Sequence, residues 1–222
     1  STSSKLQVGH PPGAPLFQMM GAFFSTFASD ADQVALMVNL VSAFSSAFTI
    51  LFMFWSITLL VRKIAGPEET LSTSSKIAVL GSALVGSLAF AFTDSFWFSA
   101  VEAEVYAMAS FLMAVLFYAG LLWERDMFKP RGNRWLILIS FIIGLSFGVH
   151  FMALLTIPAI GFLYFFKNTE KVTVKNFIIA NIIVVAILMF IFKLLLPYSL
   201  SFFAVAEVFF VNSIGLPFNS AT

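Results

Sequence analysis

Apolar residues along this chain gather into six stretches, at about 34–61, 77–93, 107–123, 135–149, 151–166 and 177–196, and each predicts a helical membrane segment. A straight crossing takes about 20 residues. The fourth and fifth stretches are shorter, at roughly 15 residues each, and Pro158 lies inside the fifth. Read as one long helix from 135 to 166, they would put Arg134 and Lys167 on opposite sides of the membrane. A hairpin that turns near His150, spanning or re-entrant, keeps both on one side and is the expected arrangement.

Charge underlies that preference. The linkers 62–76, 124–134 and 167–176 hold ten of the twelve basic residues, namely Arg62, Lys63, Lys76, Arg125, Lys129, Arg131, Arg134, Lys167, Lys171 and Lys175. By the positive-inside rule these three linkers are expected to face the cytoplasm. The segments 1–33, 94–106, around 150 and beyond 197 carry His10, Asp30, Asp32, Asp94, Glu102, Glu104, His150 and Glu207, with Lys5 their one basic residue. They are expected to face outward.

Ahead of the first span, Pro15 to Ala28 reads as a short helix with proline at an early position, which its fixed φ suits. Leu16, Met19 or Met20, Phe23 and Phe27 recur at helical spacing, and Gln18, Ala22, Ser25 and Ser29 form a thin polar face. Two placements stand: an amphipathic helix lying on the outer interface, or a hydrophobic pre-helix packed on the bundle.

Composition agrees with lipid as the main solvent. Sixty per cent of the residues are hydrophobic, 10% are charged, and mean hydropathy is +0.97, more apolar than a soluble domain of this length. The net charge of +1 offers no basic footprint for nucleic acid. The absence of cysteine removes thiol nucleophiles, disulfides and zinc clusters. The opening Ser-Thr-Ser-Ser has no Met and no charged signal region, so the chain reads as cut from within a longer protein. No Walker loop, zincin motif, nucleophile elbow or dinucleotide fingerprint is found.

The densest chemical signal is Thr93 to Tyr106, where Asp94, Glu102 and Glu104 fall at the outer ends of two spans. Carboxylates near a membrane need a partner, water or a function. Ser99-Ala-Val-Glu102 fits a capping box at the start of the third span, which competes with catalysis as the reason for Glu102. Glu104 has no such structural role, and Tyr106 is expected to share a helical face with Glu102. His10 lies in Gly9-His-Pro-Pro-Gly13, a rigid loop that either positions it or leaves it solvated. His150 is either a functional group or an interfacial histidine bonded to backbone. Lys193 either snorkels to headgroups or binds phosphate.

Several strings in order, Lys5 to Phe17, Asp94 to Tyr106, Gly148-Val-His150, Thr156-Ile-Pro158 and Leu216-Pro-Phe-Asn219, resemble a bacterial multi-spanning family. It was long labelled a domain of unknown function and is now grouped as glycosyltransferase family 117. The resemblance covers nearly the whole chain. It implies a GT-C architecture and kinship with a vertebrate protein O-mannosyltransferase. The implied reaction transfers a sugar, mannose among the candidates, from a polyprenyl-phosphate donor to an acceptor, usually a protein hydroxyl, at the outer face of a bacterial inner membrane. In that family an acidic loop just before the Lys5 string supplies the general base, with a carboxylate near the anomeric centre and cationic groups holding the donor phosphate; this chain is expected to start after that loop and so to lack the main base.

The resulting expectation is an all-α, polytopic transmembrane helical bundle of GT-C type. Residues 1–33 form an outer-face loop and interfacial helix, and 34–222 a transmembrane domain of about six segments. Glu102, Glu104 and His10 are the catalytic candidates; Tyr106, His150, Lys193 and Asn219 are the substrate-binding candidates. The lipid-linked sugar is a substrate, no cofactor is assigned, and metal dependence is open. The bilayer, the donor and a protein or glycan acceptor are the partners, with the active face toward the periplasm. A transporter or lipid flippase, and a non-catalytic envelope scaffold, are the alternatives. The former fits less well, because the ionisable groups cluster at one face and no internal repeat is seen.

Overall fold

The structure, a computed structural model, describes residues 3–7, 13–67 and 70–220. Among these residues every regular element is helical. Each of the six apolar stretches is a helix, and five helical runs are long and apolar enough to cross a membrane: Ala31–Ala65, Thr73–Ala91, Val105–Asp126, Phe151–Asn168 and Val174–Ile214. The chain forms two compact units, Ser1–Lys167 and Asn168–Thr222.

In the first unit, α1 (Pro15–Ser25) precedes α2 (Val34–Ala65), α3 (Thr73–Ala91), the short α4 (Asp94–Val101), α5 (Val105–Asp126), α6 (Arg134–Ser146) and α7 (Thr156–Asn168, whose last residue falls in the second unit). Side-chain contacts fix their directions. Ser42, Phe52 and Lys63 of α2 meet Glu104, Tyr118 and Glu124 of the α5 region in the same order, so α2 and α5 run parallel. Along α2, α3 returns: Thr58 and Arg62 lie with Leu71 and Lys76, and Ala43 and Ile50 lie with Ala91. α6 also runs back, from Trp135 beside Asp126 to the turn before His150, whose ring touches Tyr106. α7 then follows α5, with Ile160 at Gly120, Tyr164 stacked on Trp123 and Lys167 on Glu124.

The chain therefore does turn at His150, and Arg134 and Lys167 both reach carboxylates at one end of α5. α6 with its turn accompanies α5 from Asp126 to Tyr106, so the hairpin traverses the length of α5 instead of dipping partway. At 1.5 Å per residue, the 22 residues of α5 extend about 33 Å, the thickness of a hydrocarbon core. The unit has a basic pole, at the Asp126 end, and a far pole, at the Tyr106 end.

α5 is the central element because it is buried on most sides. Met108, Leu112, Leu116 and Trp123 join Phe17 of α1, Val41 of α2, Ile139 and Ile142 of α6 and Ile160 of α7 in one core. Gly120 admits the α7 contact, since a Cβ there would lie 3.0 Å from Ile160 Cγ1. Polar residues of α2, Ser42, Ser45, Ser46, Thr49 and Ser56, are buried as well. Small hydroxyls suit such a seam because they let helices approach and can bond to their own backbone, as Thr49 does to Ser45 O.

α1 packs on this bundle through Phe17 and Gly21 and leaves Met19 and Phe23, with Phe27 just beyond its end, exposed. One face is docked, as in the packed pre-helix of the two placements read from its sequence, and the other is exposed.

The second unit departs from the expected span end at 196. α8 (Val174–Phe190), a π-helical turn (Ile191–Leu195), α9 (Leu196–Phe209) and a second π-helical turn (Phe210–Ile214) form one run of 41 residues. Its start is a reciprocal capping box between Thr173 and Asn176, and its end is Gly215 in the left-handed region. Proline inside a helix clashes with the carbonyl four residues back and normally ends or kinks it. The π turn immediately before Pro197 widens the backbone there and lets helix continue beyond it.

The helix directions predict a labelling pattern. In single-cysteine variants of the natural protein, cysteine at Ser74 and at Asn133 should react with an impermeant maleimide from the same side of the membrane, and cysteine at Ser99 from the other. Labelling of the 74 and 133 sites from opposite sides would contradict the antiparallel order of α2, α3 and α6.

Candidate functional site

Of the sequence-predicted residues of the first unit, Glu102, Glu104, Tyr106 and His150 lie at the far pole, where Tyr106 and His150 touch. Thr93 starts α4, and Phe96 buries itself beside Phe90 with ring centroids 4.6 Å apart, while Trp97 stacks on Phe92. These aromatic anchors make 94–101 a helix where a loop was expected. Ser99 is consequently interior to α4 and donates from Oγ to Ser95 O. The expected capping box is therefore not formed: Glu102 ends α4 in extended backbone, and Glu104 occupies the position before α5 without a side-chain cap bond. Nor do Glu102 and Tyr106 share a helical face, because α5 begins only at Val105.

Glu104 is nevertheless firmly held by its backbone. Its N–H donates to Glu102 O at 2.8 Å, and its carbonyl accepts from buried Ser42 Oγ at 3.3 Å. Both Glu side chains are exposed. Two residues on, half-exposed Tyr106 meets half-buried His150, with ring centroids 5.3 Å apart.

His150 has a defined orientation. It precedes the 3-10 turn Phe151–Leu155, and its Nδ1 accepts from Met152 N–H at 3.1 Å. The neutral ring then carries its proton on Nε2, leaving that atom as a donor. The backbone reading of this histidine thus holds for one nitrogen and leaves the other available. The turn that carries it is pinned to α1: Leu16 N–H donates to Gly148 O at 2.7 Å, and a Cβ on Gly148 would lie 2.9 Å from Leu16 Cβ. Ala14, in the left-handed region at φ 42°, redirects the chain into α1 at this contact. His10 lies outside the described residues.

Lys193 and Asn219 belong to the second unit. Lys193 is exposed in the π-helical turn, midway along the 41-residue run and not near its end as expected. The Asn219 N–H donates to the Glu207 carboxylate. Glu207 lies about 20 Å along the helix from Lys193 at the usual rise, so Lys193 and Asn219 do not meet.

Sequence reasoning missed the charged cluster at the basic pole. Asp126 accepts two bonds from Arg125, at 2.9 and 3.0 Å, one from Lys129 at 2.9 Å and one from Trp135 Nε1 at 3.0 Å, with Arg134 at 3.8 Å. Glu124 joins Lys63 of α2 to Lys167 of α7, the latter at 3.0 Å. Both carboxylates are buried. The sequence signal was Glu124-Arg-Asp126 closing a long apolar helix. This cluster ties α2, α5, α6 and α7 together at one end.

Chemically, the far pole offers carboxylates that can accept a proton, a phenol and an imidazole N–H that can donate, and aromatic faces suited to a sugar ring. Among the described residues no three His, Asp or Glu side chains form a metal-sized group. The family model described as the protein O-mannosyl-transferase TMEM260 N-terminal domain matches residues 1–173. No curated protein and no solved structure matches the chain.

Proposed function

We propose a glycosyl-transfer function from one premise: the chain belongs to the family of the protein O-mannosyl-transferase TMEM260 N-terminal domain. The sugar, with mannose the first to be tried, moves from a polyprenyl-phosphate donor to a hydroxyl of a protein acceptor at the outer face of the membrane. The acceptor oxygen attacks the anomeric carbon, its proton passes to a carboxylate, and the sugar–phosphate C–O bond breaks with its electron pair leaving on the lipid phosphate. Glu104 is our candidate for the carboxylate within this chain, and Glu102 lies beside it in sequence. His150 Nε2–H and the Tyr106 hydroxyl act as donors to the sugar or its phosphate. The observation that supports this reading is the contact of His150 with Tyr106, two residues beyond Glu104, whose main chain is hydrogen-bonded to Ser42 and Glu102.

The direct test is transfer of labelled mannose from polyprenyl-phosphate mannose to a Ser/Thr peptide by the natural protein in nanodiscs. Intact donor and unlabelled peptide after prolonged incubation would refute the reading. Lys193 of the second unit is a separate candidate for a phosphate ligand, tested apart from the far-pole residues, since charge-assisted bonds are roughly twice as strong as neutral ones. Lys193→Met should then raise donor KM several-fold with kcat and thermal stability little changed. Unchanged dependence on donor concentration would leave Lys193 as a headgroup anchor only.

A further inference from the structure

The basic pole carries a binding surface independent of sugar transfer. Glu124 and Asp126 expose only 11% and 7% of their side chains, whereas the five cations that contact them, Lys63, Lys167, Arg125, Lys129 and Arg134, expose between 34% and 63%. Two buried negative charges thus lie beneath five outward positive ones. The excess charge is turned toward whatever meets this end of the bundle.

Beside the cluster a groove of about 410 Å3 runs between the ends of α2 and α5. Leu59 and Leu121 form its apolar part, and Arg62, Lys63 and Arg125 its cationic part. A neighbouring groove of about 190 Å3 shares Arg62 and adds Lys76 of α3. Apolar wall followed by cations is the order met by a lipid on passing from glycerol and upper acyl chain to phosphate. A free phosphate ion would use the cations alone. Guanidinium groups favour phosphate because their planar fork bonds two oxygens at once.

We propose that the α2–α5 groove binds the phosphodiester headgroup of an anionic phospholipid, with Arg62 as its guanidinium ligand and with Arg125 and Lys63, already bonded to Asp126 and Glu124, as shared cations. Such a lipid offsets the surplus positive charge and fills the gap beside the α2–α5 contact, stabilising the bundle from the end opposite the proposed transfer site.

The test compares the natural protein in nanodiscs of phosphatidylcholine with the same discs containing phosphatidylglycerol, reading thermal stability and lipids retained in native mass spectrometry. Phosphatidylglycerol should raise Tm and be retained in preference to phosphatidylcholine. Arg62→Gln should weaken that preference about five-fold, the effect of one cation near an anionic surface, while Arg62→Lys, which keeps the charge and loses the fork, should fall between wild type and Arg62→Gln. Rising salt should diminish the wild-type preference, a measurement that needs no variant to fold. Equal retention by wild type and a folded Arg62→Gln, a preference indifferent to salt, or full replacement of the effect by millimolar inorganic phosphate would overturn the proposal.

Discussion

Glu104→Gln in the natural protein should lower sugar transfer by about 10²- to 10⁴-fold, the contribution of a positioned general base. The side chain makes no helix-capping bond and is exposed, so its amide analogue removes proton-accepting capacity without removing a structural contact. Backbone geometry is retained because Ser42 and Glu102 engage Glu104 through main-chain atoms. Thermal stability should therefore match wild type while kcat falls. Glu102→Gln should cost less, since Glu102 closes α4 and its carbonyl serves as the acceptor for Glu104 N–H. Wild-type turnover in both variants would make this carboxylate pair structural and move the base elsewhere in the natural protein.

The second large effect is on stability, at the other pole. Asp126→Asn replaces an acceptor of four donated bonds by a group with one acceptor oxygen and an N–H2 facing cations. Bonds to charged groups are worth about 1.5–3 kcal/mol each, but the half-exposed Arg125, Lys129 and Arg134 recover hydration. A net loss of about 2 kcal/mol is expected, or about 4–8 °C in Tm for a domain of this size. Gly132→Ala should produce a comparable loss by another route: its Cβ would fall 2.2 Å from the main-chain oxygen of Asp126, which cannot move without opening the α5–α6 turn. Unfolding in detergent or nanodiscs reads both. If neither variant shifts Tm, the cluster does not close the bundle.

These two ends were unequally legible from sequence. The helices follow from apolar runs because lipid forces each spanning backbone to satisfy its own hydrogen bonds. The turn at His150 followed from Arg134 and Lys167 needing one side, a constraint that survives ignorance of packing. Buried Glu124 and Asp126 were hidden because their local string reads as a solvated linker; Lys63 and Lys167, which hold Glu124, come from distant helices. Ser99-Ala-Val-Glu102 satisfies a local capping rule, but the anchoring of Phe96 and Trp97 extends α4 past Ser99 and overrides it. Pro197 similarly obeys a local rule until the preceding π turn relaxes it. Tyr106 and His150 were each singled out by their place in the chain, yet their contact depends on α6 and its turn reaching back along α5 as far as Tyr106, which no spacing of residues along one helix reveals.

The bond from Leu16 N–H to Gly148 O joins residues made at very different times. At synthesis rates of roughly 5–20 residues per second, Gly148 emerges about 7–26 s after Leu16, and until then α1 has no turn to dock on. Phe17, buried in the finished unit, lacks part of its packing for that interval. The far pole is therefore incomplete until the α6–α7 turn has been made, and a chain stalled before that turn holds Glu104 in place but lacks His150 beside Tyr106. The order of assembly thereby makes the Tyr106–His150 contact depend on the completed α6–α7 hairpin.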